Sequence, residues 1–97
     1  MPLQQLIVNI VPADDKNRLR KVLSDQRLRL RNVYEGILCN GDSLIRFSFI
    51  NNAESAGEFI IKQLPSSLVA DSGDIAWAEA NGYAGSALLE VLKERAQ

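Results

Sequence analysis

The dipeptide Asn40-Gly41, which lies between two apolar-rich segments, is the feature that most constrains the fold of this chain. Asn followed by Gly is the strongest short signal for a β-hairpin, because a type I′ turn needs a positive φ at both central residues. Before the turn, Leu28, Leu30, Tyr34 and Leu38 share one parity, and a period of two is typical of strands. The pattern therefore predicts a hairpin with its arms at residues 27–39 and 42–50.

The two-residue turn also sets the register of the predicted hairpin. Counting outward from the turn places Glu35 opposite Arg46 and Tyr34 opposite Phe47, which gives one ion pair and one aromatic pair. We expect one face of the hairpin to be buried and the other to remain open. The apolar side chains of the face to be buried are Leu28, Leu30, Tyr34, Leu38, Ile45, Phe47 and Phe49.

The segment before the hairpin has a strand pattern followed by a helix pattern. A β-branched run that stops at Pro12 predicts a strand at residues 3–11. Either Asp14 or Asp15 is placed to cap a helix, and apolar residues follow at spacings of three and four. These signals predict a short amphipathic helix at residues 13–24.

The segment after the hairpin contains two further helix patterns. Asn51 and Glu54 have the spacing of a capping box, which predicts a helix at residues 52–64, and a terminal amphipathic helix is predicted from Ala84 onward. Residues 67–80 are compatible either with a strand or with a helical turn capped by an aspartate. We favour the strand.

The resulting order, strand, helix, hairpin, helix, strand, helix, resembles the ferredoxin-like split βαβ plan with an added C-terminal helix. The resemblance implies an α+β fold in which two helices cover one face of a four-stranded antiparallel sheet. A length of 97 residues suits one hydrophobic core, so we expect residues 1–97 to form a single domain. Because this plan hosts many functions, it implies none in particular.

Composition limits the location and the chemistry of the protein. The chain has one cysteine and no apolar run long enough to span a bilayer, so we expect a cytoplasmic protein that does not associate with membranes. It contains no histidine, which removes the Ser-His-Asp and Cys-His nucleophile systems and most zinc sites. Cys39 therefore has no histidine to activate it, and no motif for a metal, nucleotide or other cofactor is present. We predict a protein that is not an enzyme.

The basic residues are concentrated in one part of the chain. Residues 16–31 hold seven Lys and Arg residues and one acid, although the whole chain has a net charge of −1. On the predicted sheet, Arg27, Arg29 and Arg31 would share the open face with apolar side chains. We interpret this face either as a solvated surface or as a partner-binding surface. Its residues are Arg27, Arg29, Arg31, Val33, Ile37, Leu44 and Arg46.

Three functions are consistent with this pattern. We favour a noncatalytic protein–protein interaction module, such as a regulator, an inhibitor or an immunity-type protein, which acts by covering a surface of a protein partner, either as a monomer or as a homodimer. The second is a nucleic-acid-associated protein that uses the basic segment 16–31. The third is a small-molecule-sensing regulatory domain of the ACT type. The absence of an aromatic side chain among the arginines disfavours single-stranded RNA binding.

Overall fold

The computed structural model describes residues 2–97, and those residues form helices with no strand. A 3-10 turn, Tyr34–Gly36, directly follows the third helix. The predicted α+β, ferredoxin-like sheet is therefore wrong. The helices are α1 (Leu3–Ile10), α2 (Lys16–Asp25), α3 (Leu30–Val33), α4 (Leu44–Ile50), α5 (Glu54–Lys62), α6 (Ser66–Asp71), α7 (Asp74–Ala80) and α8 (Ala87–Ala96).

The first segment, for which a strand was predicted at residues 3–11, forms α1 instead. The apolar residues Leu3, Leu6, Ile7 and Ile10 are spaced by three, one and three positions, which places them on one side of a helix. Ile7 and Ile10 are buried. Burial of this stripe outweighs the β propensity of the branched side chains, because β propensity depends strongly on context.

The turn predicted at Asn40-Gly41 is confirmed, but the strands on either side of it are not. Asn40 and Gly41 have φ values of 54° and 83°. Cys39 and Asp42 exchange two backbone hydrogen bonds of 2.8 and 3.0 Å, which form an isolated bridge. Directly after it, the Ser43 hydroxyl accepts a hydrogen bond from the Arg46 amide and caps α4. The predicted arms at 27–39 and 42–50 are thus replaced by helical turns.

The cross-strand pairs predicted for the hairpin are absent from the described residues, since the strands do not form. The Arg46 guanidinium contacts the Asp74 carboxylate at 2.7 Å instead of Glu35. The Tyr34 hydroxyl accepts a hydrogen bond of 3.4 Å from the Ile45 amide. Of the seven side chains expected to be buried, five are buried and Leu28 is half-buried, while Leu38 is 50% exposed.

The strand favoured at residues 67–80 is also wrong, because this segment forms α6 and α7. Helix α6 begins directly after Pro65, whose fixed φ suits the start of a helix. Gly73, at a φ of 75°, allows the chain to turn between the two helices. The alternative for this segment, a helical turn capped by Asp74, is correct about the helix but not about the cap, since the N-cap of α7 is Gly73 and Asp74 lies in the first turn.

The three helices predicted from periodicity are confirmed as α2, α5 and α8. Asp15 caps α2 by accepting a hydrogen bond from the Arg18 amide. The capping box predicted for α5 does not form, since its N-cap is Ala53 and the Asn51 side chain donates to the Phe47 carbonyl. Periodicity therefore located these helices, whereas it did not identify every capping residue.

Helix α4 is largely buried. It contacts α5 and α7, while α5 also packs against α2 and α8. Helices α6 and α7 pack against α8, and α1 packs against α2. Leu44, Ile45, Phe47, Ser48 and Phe49 of α4 are all buried, so this short helix is apolar on nearly every side. The arrangement leaves one side of α2 and one side of α5 facing a shared groove.

Candidate functional site

A groove between α2 and α5 brings together side chains from several separate segments of the chain. Arg20, Leu23 and Ser24 line it from α2, where spacings of three and four place them on one side of the helix. Phe59 and Lys62 of α5, with Gln63 directly after its end, have the same spacing and line the opposite wall. Residues 28–31 and Arg95 of α8 complete the lining. The groove has a volume of ≈ 560 Å³.

The lining of this groove is strongly basic. Five of the eleven Lys and Arg residues of the chain line it, and none of the twelve Asp and Glu residues does. Because like charges gathered at one place raise the local potential, the groove attracts anions although the whole protein has a net charge of −1. The five basic residues, hereafter the groove cations, are Arg20, Arg29, Arg31, Lys62 and Arg95.

Three of the groove cations are positioned by contacts with neighbouring groups. The Arg20 guanidinium lies 5.5 Å from the centre of the Phe59 ring. Arg95 donates a hydrogen bond of 2.8 Å from Nε to the Leu64 carbonyl. Lys62 contacts Glu58 at 2.6 Å, one helical turn away on the rim, and this contact lowers the pKa of Glu58. These contacts reduce the freedom that the side chains would lose on binding.

The arginines of the groove have no carboxylate partner within the described part of the chain. The ion pairs there join Lys21 to Asp25, Arg46 to Asp74, Lys62 to Glu58 and Lys93 to Glu79. Arg20, Arg29, Arg31 and Arg95 take part in none of these pairs. Their positive charge is therefore available to a ligand.

The floor of the groove is apolar. Leu23 and Leu30 are buried beneath it, while Leu28 and Phe59 are half-buried and keep part of their surface open. A ligand that combines negative charge with an apolar group would match both parts of the groove. Its lining has no cysteine, tyrosine or carboxylate, so its charged groups are the five cations alone.

The structure brings only two of the seven predicted partner-binding residues into this groove, Arg29 and Arg31. Arg27 is also exposed, at a φ of 54°, but it does not line the groove. Val33 is half-buried. Ile37 and Leu44 are buried in the core, so the open sheet face on which all seven residues were placed does not exist.

Arg46, the remaining predicted residue, lies in a different environment. Its side chain is 34% exposed and joins the buried Asp74 carboxylate across the α4–α7 contact. Its guanidinium also lies 5.2 Å from the centre of the Trp77 ring. The second oxygen of Asp74, Oδ2, is buried without a hydrogen-bond partner. Arg46 is therefore part of the packing between two helices.

Sequence reasoning missed Phe59, Lys62 and Arg95 as members of the groove. The signal on α5 was present, because Phe59, Lys62 and Gln63 share the spacing of one helix face. No sequence signal connects Arg95 to Arg29, since the two lie far apart in the chain and only the fold brings both to the groove. Arg20 belonged to the basic segment 16–31 but was not among the predicted partner-binding residues.

Cys39, the single cysteine of the chain, lies outside the groove. Cys39 is buried, and burial together with nearby Asp42 raises the pKa of its thiol to about 11. The nucleophilic thiolate is therefore scarce near neutral pH. Residues 2–97 contain no cluster of three or more Cys, Asp or Glu side chains that could hold a metal ion. Within the same residues, no helix is both long enough and apolar enough to span a bilayer.

Comparison with known proteins places the chain in a family. No curated protein and no solved structure matches this chain. Residues 7–70, which make up more than half of the chain, match the family described as protein of unknown function (DUF3718). This range contains Arg20, Arg29, Arg31 and Lys62, whereas Arg95 lies beyond it. The chain belongs to the DUF3718 family.

Proposed function

We propose that this protein is a noncatalytic interaction module that binds an acidic segment of a partner protein in the basic groove. The observation that carries the proposal is the convergence of five cations on one groove whose lining includes no carboxylate. Arginines that form no ion pair within the described residues are suited to carboxylate ligands, because the guanidinium donates hydrogen bonds in a planar fork. Binding would cover the surface of the partner protein around its acidic segment.

A protein segment fits the groove better than a long nucleic acid does. Outside the groove the chain has six basic side chains against twelve acidic ones, so an extended phosphate backbone would meet net negative charge beyond the groove. A short acidic segment would contact only the groove and would not reach the acidic surface beyond it. The partly exposed Leu28 and Phe59 also offer apolar contact, which contributes more to protein interfaces than to binding of a phosphate backbone.

The proposal is tested with a fluorescent peptide that combines Glu residues with Leu and Phe, measured by anisotropy against two matched variants. Arg29→Asn with Arg31→Asn removes two groove cations, whereas Arg18→Asn with Arg27→Asn removes two exposed cations outside the groove. Both variants change the net charge equally. We expect the groove variant to bind about tenfold or more weakly, since charge-assisted hydrogen bonds are lost, and the control to bind within about threefold of the wild type.

Two outcomes would contradict this function. Equal weakening by both variants would show that the peptide responds to total charge and not to the groove. Tighter binding of single-stranded DNA than of the acidic peptide would favour a nucleic-acid-associated protein, particularly if the logarithm of affinity fell linearly with the logarithm of salt concentration, with a slope near −0.7 per contacted phosphate. We expect the salt dependence of peptide binding to be shallower than that of DNA, because the apolar floor is not screened by salt.

A further inference from the structure

We propose that the group recognised by the groove is a phosphate carried by the partner segment, so that the protein selects a phosphorylated segment over one that is only acidic. This inference rests on the proposed function and specifies the chemistry of its ligand. Three observations support it. Most of the groove cations are arginines, these arginines form no ion pair within the described residues, and contacts with neighbouring groups hold two of them in position.

The groove uses arginine in preference to lysine. Four of its five cations are arginines, and these are four of the seven arginines in the chain. A carboxylate has two oxygens and accepts one bidentate guanidinium well. A phosphate monoester has three terminal oxygens and a charge of about −1.5 to −2 at neutral pH, so it can accept hydrogen bonds from several guanidinium groups at once. The number of arginines therefore exceeds what one carboxylate can use.

The same arginines lack counter-charges in the protein. Among the described residues, none of the four forms an ion pair, and the one groove cation that does is Lys62. Gathering like charges without a counter-ion is unfavourable, and an anion bound among them relieves that repulsion. A dianion relieves more of it than a monoanion at the same position. Phosphorylation of a partner residue would therefore raise affinity more than an acidic side chain there.

Two of the arginines are held in place before any ligand binds. Arg20 lies over the Phe59 ring, and Arg95 uses Nε for the Leu64 carbonyl. That hydrogen bond leaves both Nη groups of Arg95 as donors for a ligand. A second depression of ≈ 330 Å³, which shares Arg20, Phe59 and Lys62 with the groove, extends the space along α5. The flanking residues of a bound segment have room there.

The test uses three degenerate peptide libraries that differ only at a fixed central residue, which is phosphoserine, Glu or Ser. Binding of each library to the full chain is measured by anisotropy, with single-stranded DNA as a fourth ligand. We expect the phosphoserine library to bind about tenfold or more tightly than the Glu library, and the Ser library to bind most weakly. Inorganic phosphate at millimolar concentration should displace the phosphoserine library.

A charge-conserving variant separates guanidinium geometry from charge alone. Arg29→Lys with Arg31→Lys keeps both positive charges but removes two planar forks, so the preference for phosphoserine over Glu should fall at least about fivefold. The matched control is Arg18→Lys with Arg27→Lys, which lies outside the groove and should keep the preference. Circular dichroism of each variant confirms that the helices are intact.

The outcomes distinguish this inference from the proposed function. If phosphoserine and Glu libraries bind equally well and the Arg29→Asn, Arg31→Asn variant weakens both, the phosphate inference is overturned and the acidic-segment function stands. If none of the three libraries binds, both are overturned. If single-stranded DNA binds more tightly than the phosphoserine library, the phosphate belongs to a nucleic acid and the inference is overturned in favour of that class.

Discussion

Two neighbouring carboxylates, Asp14 and Asp15, cap two different helices. Asp15 caps its own helix, α2, through a hydrogen bond of 3.1 Å from the Arg18 amide. Asp14, at a φ of 53°, accepts a hydrogen bond of 2.7 Å from the Ala56 amide in the first turn of α5. Helix α5 has no side-chain cap of its own, so a residue forty-two positions earlier satisfies one of its free amides.

Replacement of Asp14 should test this contact between distant segments. Asp14→Ala removes the acceptor of the Ala56 amide, and alanine tolerates a positive φ less well than aspartate does. We therefore expect a loss of about 1–2 kcal/mol in the free energy of unfolding. Asp14→Asn keeps an oxygen acceptor and tolerates this φ, and should lose less than about 0.5 kcal/mol. Urea denaturation measures both. Equal losses for the two variants would mean that the hydrogen bond to α5 contributes little.

Among the helices, Gly57 allows a close approach of α5 to its neighbours. It lies on α5, and a Cβ added at this position would come within 2.9 Å of both terminal methyls of Leu88 and 3.0 Å of the Ser48 Cβ. Leu88 is on α8 and Ser48 on α4, and both are buried. The absence of a side chain at Gly57 therefore lets α5 pack tightly against two helices at once.

Gly57→Ala should destabilise the protein although alanine is the better helix former. Helix propensity favours Ala by about 1 kcal/mol, but the overpacked interface should cost more, so we expect a net loss of about 1–3 kcal/mol in the free energy of unfolding. The control is Gly85→Ala, where an added Cβ meets nothing within 4 Å. If the contact with Leu88 causes the loss, then Leu88→Ala should relieve it, and the two substitutions together should lose less than their sum. Additive losses would show that the contact is not the cause.

The molecule as a whole has an apolar core and an uneven distribution of charge on its surface. Phe47 of α4 is 5% exposed, whereas Arg29 is exposed at the rim of the groove. Five basic side chains converge on that groove, and the remaining surface is predominantly acidic. Stability and binding should therefore depend on different residues.

Denaturation of two single variants should demonstrate this separation. Phe47→Ala removes a buried aromatic side chain from the core, so we expect a loss of about 3 kcal/mol or more in the free energy of unfolding. Arg29→Ala removes an exposed side chain without an ion pair in the described residues and should change it by no more than about 0.5 kcal/mol. Chemical denaturation of each variant gives both values. A loss for Arg29→Ala as large as that for Phe47→Ala would place Arg29 in the structural core and not on a binding surface.

Part of this fold follows from the sequence alone. Helices α2, α5 and α8 were predicted because their apolar residues recur at spacings of three and four over about ten residues, long enough to distinguish a helix from a strand. The Asn40-Gly41 turn was predicted because both residues tolerate positive φ. These features depend on neighbouring residues, so neighbouring residues suffice to predict them.

Tertiary structure decided the rest. Helices α1, α3, α4, α6 and α7 are four to eight residues long, and apolar runs of that length are compatible with both a strand and a helix. Packing against neighbouring helices selects between them, because most of the stability of a short helix comes from its buried side. The groove is likewise a tertiary feature. Arg20, Arg29, Lys62 and Arg95 come from four separate segments, and only the packing of α2, α5 and α8 brings their charges together.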